Sequence, residues 1–155
     1  MPIEFHAQDI SDTQKLGQRL AQALFPGAVV ALIGPMGAGK THLVKAIAEG
    51  LGIRNSAAVN SPTFVLIQEY DARLPIYHFD AHRLATAAEF ADLGVHEYFH
   101  GDGVCLVEWA DKFPALLPAD HLEIRIEATG PTRRKFALSA CGPRHAVLLQ
   151  PFGAD

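Results

Sequence analysis

Cysteine is nearly absent from this chain, with only Cys105 and Cys141 in 155 residues. Both lie in apolar stretches, so buried free thiols in a reducing, cytoplasmic setting are expected, not a disulfide framework or a thiolate metal site. No apolar run approaches the roughly 18 residues that a membrane span needs, and residues 1–20 lack the apolar core of a secretory signal. Blocks of Lys and Arg are missing too. With a formal net charge of −4, the chain carries no footprint for gripping a nucleic-acid backbone unaided. Asparagine occurs twice, as Asn55 and Asn60, and neither opens an Asn-Lys-x-Asp. No Asp-x-x-Gly occurs either. The signature of a guanine-specific GTPase is therefore missing, which favours ATP as the nucleotide. There is no internal repeat, low-complexity tract or long linker, so residues 1–155 are expected to form a single compact domain.

What is present reads as alternating strands and helices. SDTQKLGQRLAQALF has capping-box spacing at Ser11 and Gln14 and a helical recurrence of Leu16, Leu20 and Leu24. Ala28 to Ile33 is continuously apolar, as in a strand buried on both faces. Lys40 to Leu51 reads as the next helix, with Leu43, Ile47 and Leu51 inward. Thr63 to Tyr70 and Ile76 to Asp80 suggest an antiparallel pair around the turn-like DARLP. Thr86 and Glu89 open a short helix by capping-box spacing, and a second covers His96 to His100. Val104 to Trp109 is a further strand. HLEIRIEA and KFALSA alternate with period two around the turn GPTR. The class is α/β: a phosphate-loop type of mixed sheet flanked by helices, with a C-terminal antiparallel hairpin.

One stretch carries chemistry. GPMGAGKT satisfies G-x-x-x-x-G-K-[ST] through Gly34, Gly39, Lys40 and Thr41. It leaves the apolar strand and enters a helix, the context that this motif requires. Glycines let successive backbone N–H groups turn inward on phosphate oxygens, and the helix N-terminus adds its partial positive charge. Pro35, Met36, Gly37, Ala38, Gly39, Lys40, Thr41 and His42 are accordingly the candidate nucleotide contacts. Lys40 would reach the β- and γ-phosphates, and the Thr41 hydroxyl would ligate Mg²⁺. Triphosphate chemistry also needs a metal-side carboxylate. Asp80, ending PIYHFD, and Glu108, ending GVCLVE, are both placed for it, and position favours neither.

Beyond the cradle come NSPTF (Asn60 to Phe64), YHFDAHRL (Tyr77 to Leu84), LGVHEYF (Leu93 to Phe99) and LVEWADKFPALLP (Leu106 to Pro118). In this order and spacing they resemble the TsaE family, small bacterial ATPases of tRNA threonylcarbamoyladenosine biosynthesis. The resemblance runs over nearly the whole chain. It implies ATP and Mg²⁺ as ligands and the TsaD and TsaB proteins as partners, with tRNA engaged only indirectly and no membrane. It also implies that Ser61, Pro62 and Thr63 face the γ-phosphate. Glu108 matches the acid in EW and is expected beside the metal with Thr41. Asp80 is left to back the metal or orient water; Lys40, Asp80 and Glu108 are the expected catalytic residues, with the division of roles between Asp80 and Glu108 open. Trp109 packs beside the site or fills core. Thr13 and Arg134 fall where the family closes over adenine and ribose. The chain departs from the family at Pro35-Met36, His42, His82 and Ala110, none of which removes a phosphate or metal group.

Two patterns remain. His78-x-Asp80-x-His82 and the i, i+4 pair His96 and His100 have metal-like spacing, but solvated or packed histidines account for them better. The alternative functions are a small phosphate-loop metabolite kinase and a non-hydrolysing ATP-sensing adaptor. A kinase would need a mobile lid with several arginines, and Arg83 is the only arginine between Arg73 and Arg125.

Overall fold

A computed structural model describes residues 2–35, 37–53, 59, 67–81 and 84–153. Its centre is strand β2, Val29–Ile33, whose five residues are all buried. An uninterrupted apolar strand needs cover on both faces, and β2 has it. Val30 and Leu32 join an apolar cluster with Leu16, Leu20, Leu43 and Ile47. Val29 and Ala31 join another with Phe79, Phe90, Val95 and Phe99. The first cluster is roofed by helices α1, Ile10–Ala23, and α2, Lys40–Gly50. The second is roofed by α3, Ala87–Asp92, and α4, Val95–Phe99.

The remaining strands are β1, Ile3–Ala7; β3, Ile67–Tyr70; β4, Ile76–Asp80; β5, Val104–Glu108; β6, His121–Ala128; and β7, Arg134–Cys141. They form a 7-stranded sheet in the order β1-β7-β6-β2-β5-β4-β3. Its core, β6-β2-β5-β4, is parallel, and its margins, β3 on one side and β7 and β1 on the other, are antiparallel. The expected mixed sheet and C-terminal hairpin are therefore present.

The structure corrects two local readings and adds a strand. Helix α1 is capped by Asp9, whose side chain accepts from the Ser11 and Asp12 amides. Ser11 instead donates its hydroxyl to the same carboxylate, at 2.6 Å. An Asp two residues earlier outcompetes the Ser11–Gln14 box because an ionised carboxylate is the stronger acceptor. Strand β1 was not assigned from sequence, although Ile3, Phe5 and Ala7 alternate with Glu4 and His6 and the structure exposes Glu4 and His6; it pairs with the edge of β7. Cys105 is buried as expected, whereas Cys141 is only half-buried on the hairpin. Helices α1 and α2 cross closely, since a Cβ at Gly50 would come within 2.6 Å of the Ala21 Cβ.

The chain ends in a short helix, α5, Pro143–Ala146, and a 3-10 turn, Val147–Phe152. This tail reaches back to the central strand. His145 is fully buried, and its Nε2 accepts the Val29 amide at 2.9 Å. The ring therefore keeps its proton on Nδ1, which donates to Asp120 at 2.6 Å. Burial pushes the His145 imidazole below its ordinary range, although Asp120 pulls the other way. Burial alone would raise Asp120, but hydrogen bonds from the Arg144 amide and from His145 hold its carboxyl below the usual range.

The sign of the pH dependence follows. As pH falls through about 6.5, the unfolded chain takes up a proton that the folded imidazole refuses, so stability falls with pH. The Asp120 contribution disappears only below about pH 3.9. The unfolding midpoint should therefore drop between about pH 7.5 and about pH 5.5. In His145→Gln it should start lower and depend less on pH. Thermal unfolding followed by circular dichroism checks this, and an equally steep slope in the variant would assign the effect elsewhere.

Candidate nucleotide site

The loop between β2 and α2 is built as a cradle. Gly34 passes so close to β6 that a Cβ there would lie 2.6 Å from the Ile126 carbonyl oxygen. Gly37 and Gly39 have φ of 81° and 108°, a region that disfavours side chains. Gly39 is also the N-cap of α2, with no side chain capping the helix, so its first amides face the loop.

Lys40 is 5% exposed, and its ammonium donates to the Gly34 and Pro35 carbonyls at 2.5 and 2.9 Å. Its Nζ lies 4.2 Å from the centroid of the Trp109 ring. Burial lowers the Lys40 pKa from its ordinary value, while Glu108, Asp80 and Asp111 oppose that fall. Both candidate acids thus act on this lysine. Trp109 packs beside the site, one of the two readings the sequence left open.

Asp80 and Glu108 end neighbouring parallel strands in direct register. They are 6% and 3% exposed. Glu108 is also partnered with Leu32 of β2, so it stands one strand nearer to the phosphate loop than Asp80. Both lie at the carboxyl ends of parallel strands, where open α/β sheets bind their ligands. These carboxylates, and the hydroxyl of Thr41 in the first turn of α2, offer only oxygens, the donors that a hard cation such as Mg²⁺ favours.

A histidine positions Glu108. The His78 Nε2–H donates to Glu108 Oε2 at 2.5 Å, and its Nδ1 lies 3.3 Å from the Tyr70 hydroxyl, which in turn meets Gln68. His78 is therefore a packed histidine within a buried polar chain. This bridge was missed from sequence. Alternation put His78 and Asp80 on one face, but pairing His78 with Glu108 needs the register of β4 against β5. His82 lies outside the described residues.

Thr13, Gly39, His42 and Arg134 converge on one cavity of about 260 Å³, shared with Ile10 and Phe136. Arg134 clasps the loop: its Nε donates to the Ala38 carbonyl at 2.9 Å, and one terminal nitrogen reaches the Gly130 and Arg133 carbonyls. Helix α1, the phosphate loop and the C-terminal hairpin thus meet here. Met36 and the segment Ser61 to Thr63 lie outside the described residues, so Thr63 and Met36 receive no placement.

A buried parallel strand feeding a glycine-rich loop and a helix, with acids ending the adjacent strands, defines a phosphate-loop nucleotide-binding fold. The model of the family Threonylcarbamoyl adenosine biosynthesis protein TsaE matches residues 7–136. The tRNA threonylcarbamoyladenosine biosynthesis protein TsaE of Bacillus subtilis is 45% identical over 149 residues, covering 96% of this chain and 92% of its own. That of Treponema pallidum is 36% identical over 133 residues, covering 86% and 97%. The crystal structure of Bacillus subtilis YdiB superposes with a TM-score of 0.84 at 37% identity, covering 97% of this chain and 93% of that one. The chain belongs to the TsaE family and so to tRNA threonylcarbamoyladenosine biosynthesis. Among the described residues no helix is long and apolar enough to cross a membrane.

Breaking the buried bridge has a defined cost. His78→Leu leaves the Glu108 carboxylate without its donor and should destabilise the fold by about 3 kcal/mol. Adding Glu108→Gln should recover part of that loss, a coupling that denaturant unfolding of the double-mutant cycle reads directly.

Proposed function

We propose that the protein binds ATP with Mg²⁺ in this cradle and hydrolyses it. The hydrolysis would serve threonylcarbamoylation of adenosine 37 in tRNA through the TsaD–TsaB complex. What carries the reading is the convergence of Lys40 with Glu108 and Asp80 at the end of a parallel sheet. Membership of the TsaE family supports the pathway.

The residues divide the work as follows. The phosphate-loop amides and Lys40 hold the β- and γ-phosphates, so the ammonium exchanges its contacts with the Gly34 and Pro35 carbonyls for phosphate oxygens. Thr41 and Glu108 would hold Mg²⁺, which when bound neutralises charge developing on the phosphates. His78 fixes Oε2 of Glu108, so Oε1 is the oxygen that would meet the cation. Asp80, one strand further out, orients the attacking water or backs the metal. The cavity beside Thr13, His42 and Arg134 takes the nucleoside.

Arg134 is already committed to three backbone carbonyls, which suits a clamp better than a group that swings onto the γ-phosphate. An arginine supplied by a partner can be worth about 10³–10⁵ in rate. Turnover by the isolated chain is therefore expected to be slow and to rise with TsaD–TsaB. The acidic net charge fits a factor that leaves tRNA to its partners.

ATP turnover by the purified chain, with and without TsaD–TsaB, tests this. Lys40→Ala should lower turnover by at least about 10²-fold, and Glu108→Ala should do so while nucleotide still binds. An isolated chain already running at the partner-saturated rate would end the partner-stimulated reading. ATP-dependent phosphorylation of a small acceptor without partners would favour a kinase instead. Arg134→Ala should weaken ATP binding by about tenfold, through loss of the hydrogen bond to Ala38 that ties the hairpin to the loop. Titration calorimetry of the nucleotide measures it.

A further inference from the structure

At the opposite end of the C-terminal hairpin from Arg134, three metal-binding side chains meet on one sheet face. His121 opens β6 and is paired across the ladder with Cys141, the last residue of β7. Glu123 follows two residues after His121 and so shares its face. His121, Glu123 and Cys141 each offer one ligand atom, and these atoms lie within 4.8 Å of one another. All three residues are half-buried. The cluster lies seven residues along β7 from Arg134, about 23 Å at strand spacing, and is separate from the nucleotide site.

We propose that His121, Glu123 and Cys141 form a binding site for a zinc-class divalent cation, with the fourth position open to water. The histidine is already oriented for it. Its Nδ1 lies 2.8 Å from the Pro118 carbonyl, which has no proton to give, so Nδ1–H donates and Nε2 keeps its lone pair. Ligand histidines are commonly aimed by such a carbonyl. One sulfur, one imidazole nitrogen and one carboxylate oxygen suit Zn²⁺, whereas Mg²⁺ and Ca²⁺ favour oxygen alone. Donors around tetrahedral zinc sit roughly 3.3–3.6 Å apart, so a modest closure of three side chains completes the site.

The neighbours decide what else takes part. Asp120 is not a ligand, because its oxygens accept from the Arg144 amide, the His145 amide and the His145 ring. Glu123 Oε1 accepts from Arg125 Nε at 2.6 Å. Arg125 is exposed, and an exposed ion pair holds weakly against a competing dication. Burial, then Glu123 and Asp120, push the Cys141 thiol above its ordinary range. A dication relieves that crowding of negative charge. On binding, the Cys141 S–H bond breaks, a metal–sulfur bond forms and the proton leaves to solvent.

Cobalt(II) titration of the full chain, free of nucleotide and Mg²⁺, is the test. One equivalent should produce a thiolate-to-cobalt charge-transfer absorption in the near ultraviolet, and Zn²⁺ should displace it. Cys141→Ser should abolish the band, and His121→Gln should weaken binding by at least about tenfold. Arg125→Ala should tighten it several-fold by freeing Glu123. In the unmodified protein, Zn²⁺ should slow alkylation of Cys141 by at least about tenfold, since the thiolate is then a ligand. Absence of the band, as when cobalt binds only oxygens at Asp80 and Glu108, overturns the proposal. So does a band that survives Cys141→Ser, or Cys141 alkylation indifferent to Zn²⁺.

Discussion

Everything around the phosphate loop answers to one requirement: an ammonium group must be kept charged where water hardly reaches it. Lys40 is buried, and desolvation works against its charge. Two acids at the ends of β4 and β5, two loop carbonyls and the face of Trp109 oppose that penalty. Each of these partners sets a demand of its own. The acids must be in register, so the sheet core is parallel at β2, β5 and β4. Glu108, nearly waterless itself, needs a donor, so His78 reaches it diagonally from β4 and leans on Tyr70. Trp109 adopts a left-handed backbone, φ 60°, alone among the described non-glycine residues. Strain of that kind persists only where the surroundings over-determine it.

Such a cluster balances closely. Anionic phosphates arriving on the cationic side would take the place of the carbonyls that now receive the lysine, and a metal would take up charge on Glu108. Charges are then redistributed among groups already fixed by strand register, which is how electrostatic preorganisation works. The clasp of Arg134 on Ala38 ties the hairpin to the same loop, so the antiparallel margin serves the site as well as the parallel core.

What could be read from sequence was what period and local chemistry encode. Strand β2 and helix α2 announced themselves by an apolar run, a glycine-rich turn and a helical recurrence of Leu43, Ile47 and Leu51. Thr86 capped α3 as its spacing required, accepting from the Glu89 amide at 3.2 Å. Thr13 and Arg134 were singled out through matched family positions and not through their own chemistry. Some of what escaped was set by contacts distant in sequence and some by local signals. The His78–Glu108 bridge depends on strand register, whereas the alternation of Ile3, Phe5 and Ala7 and the capping carboxylate of Asp9 are local. The half-exposure of Cys141 follows from its place at the end of a marginal strand, where an apolar neighbourhood in sequence does not guarantee cover in space.

The clasp of His145 on Val29 joins residues 116 positions apart. The amide it satisfies belongs to the first residue of the strand that carries the phosphate loop. During synthesis the loop and α2 emerge early, but that buried N–H has no partner until residue 145 has left the ribosome. An unpartnered buried amide is costly, and long-range closure is slow. The cradle is thus finished only after the hairpin and α5 have emerged, and a nascent chain halted in the hairpin would hold the whole GPMGAGKT motif on a strand whose first amide is still unpartnered.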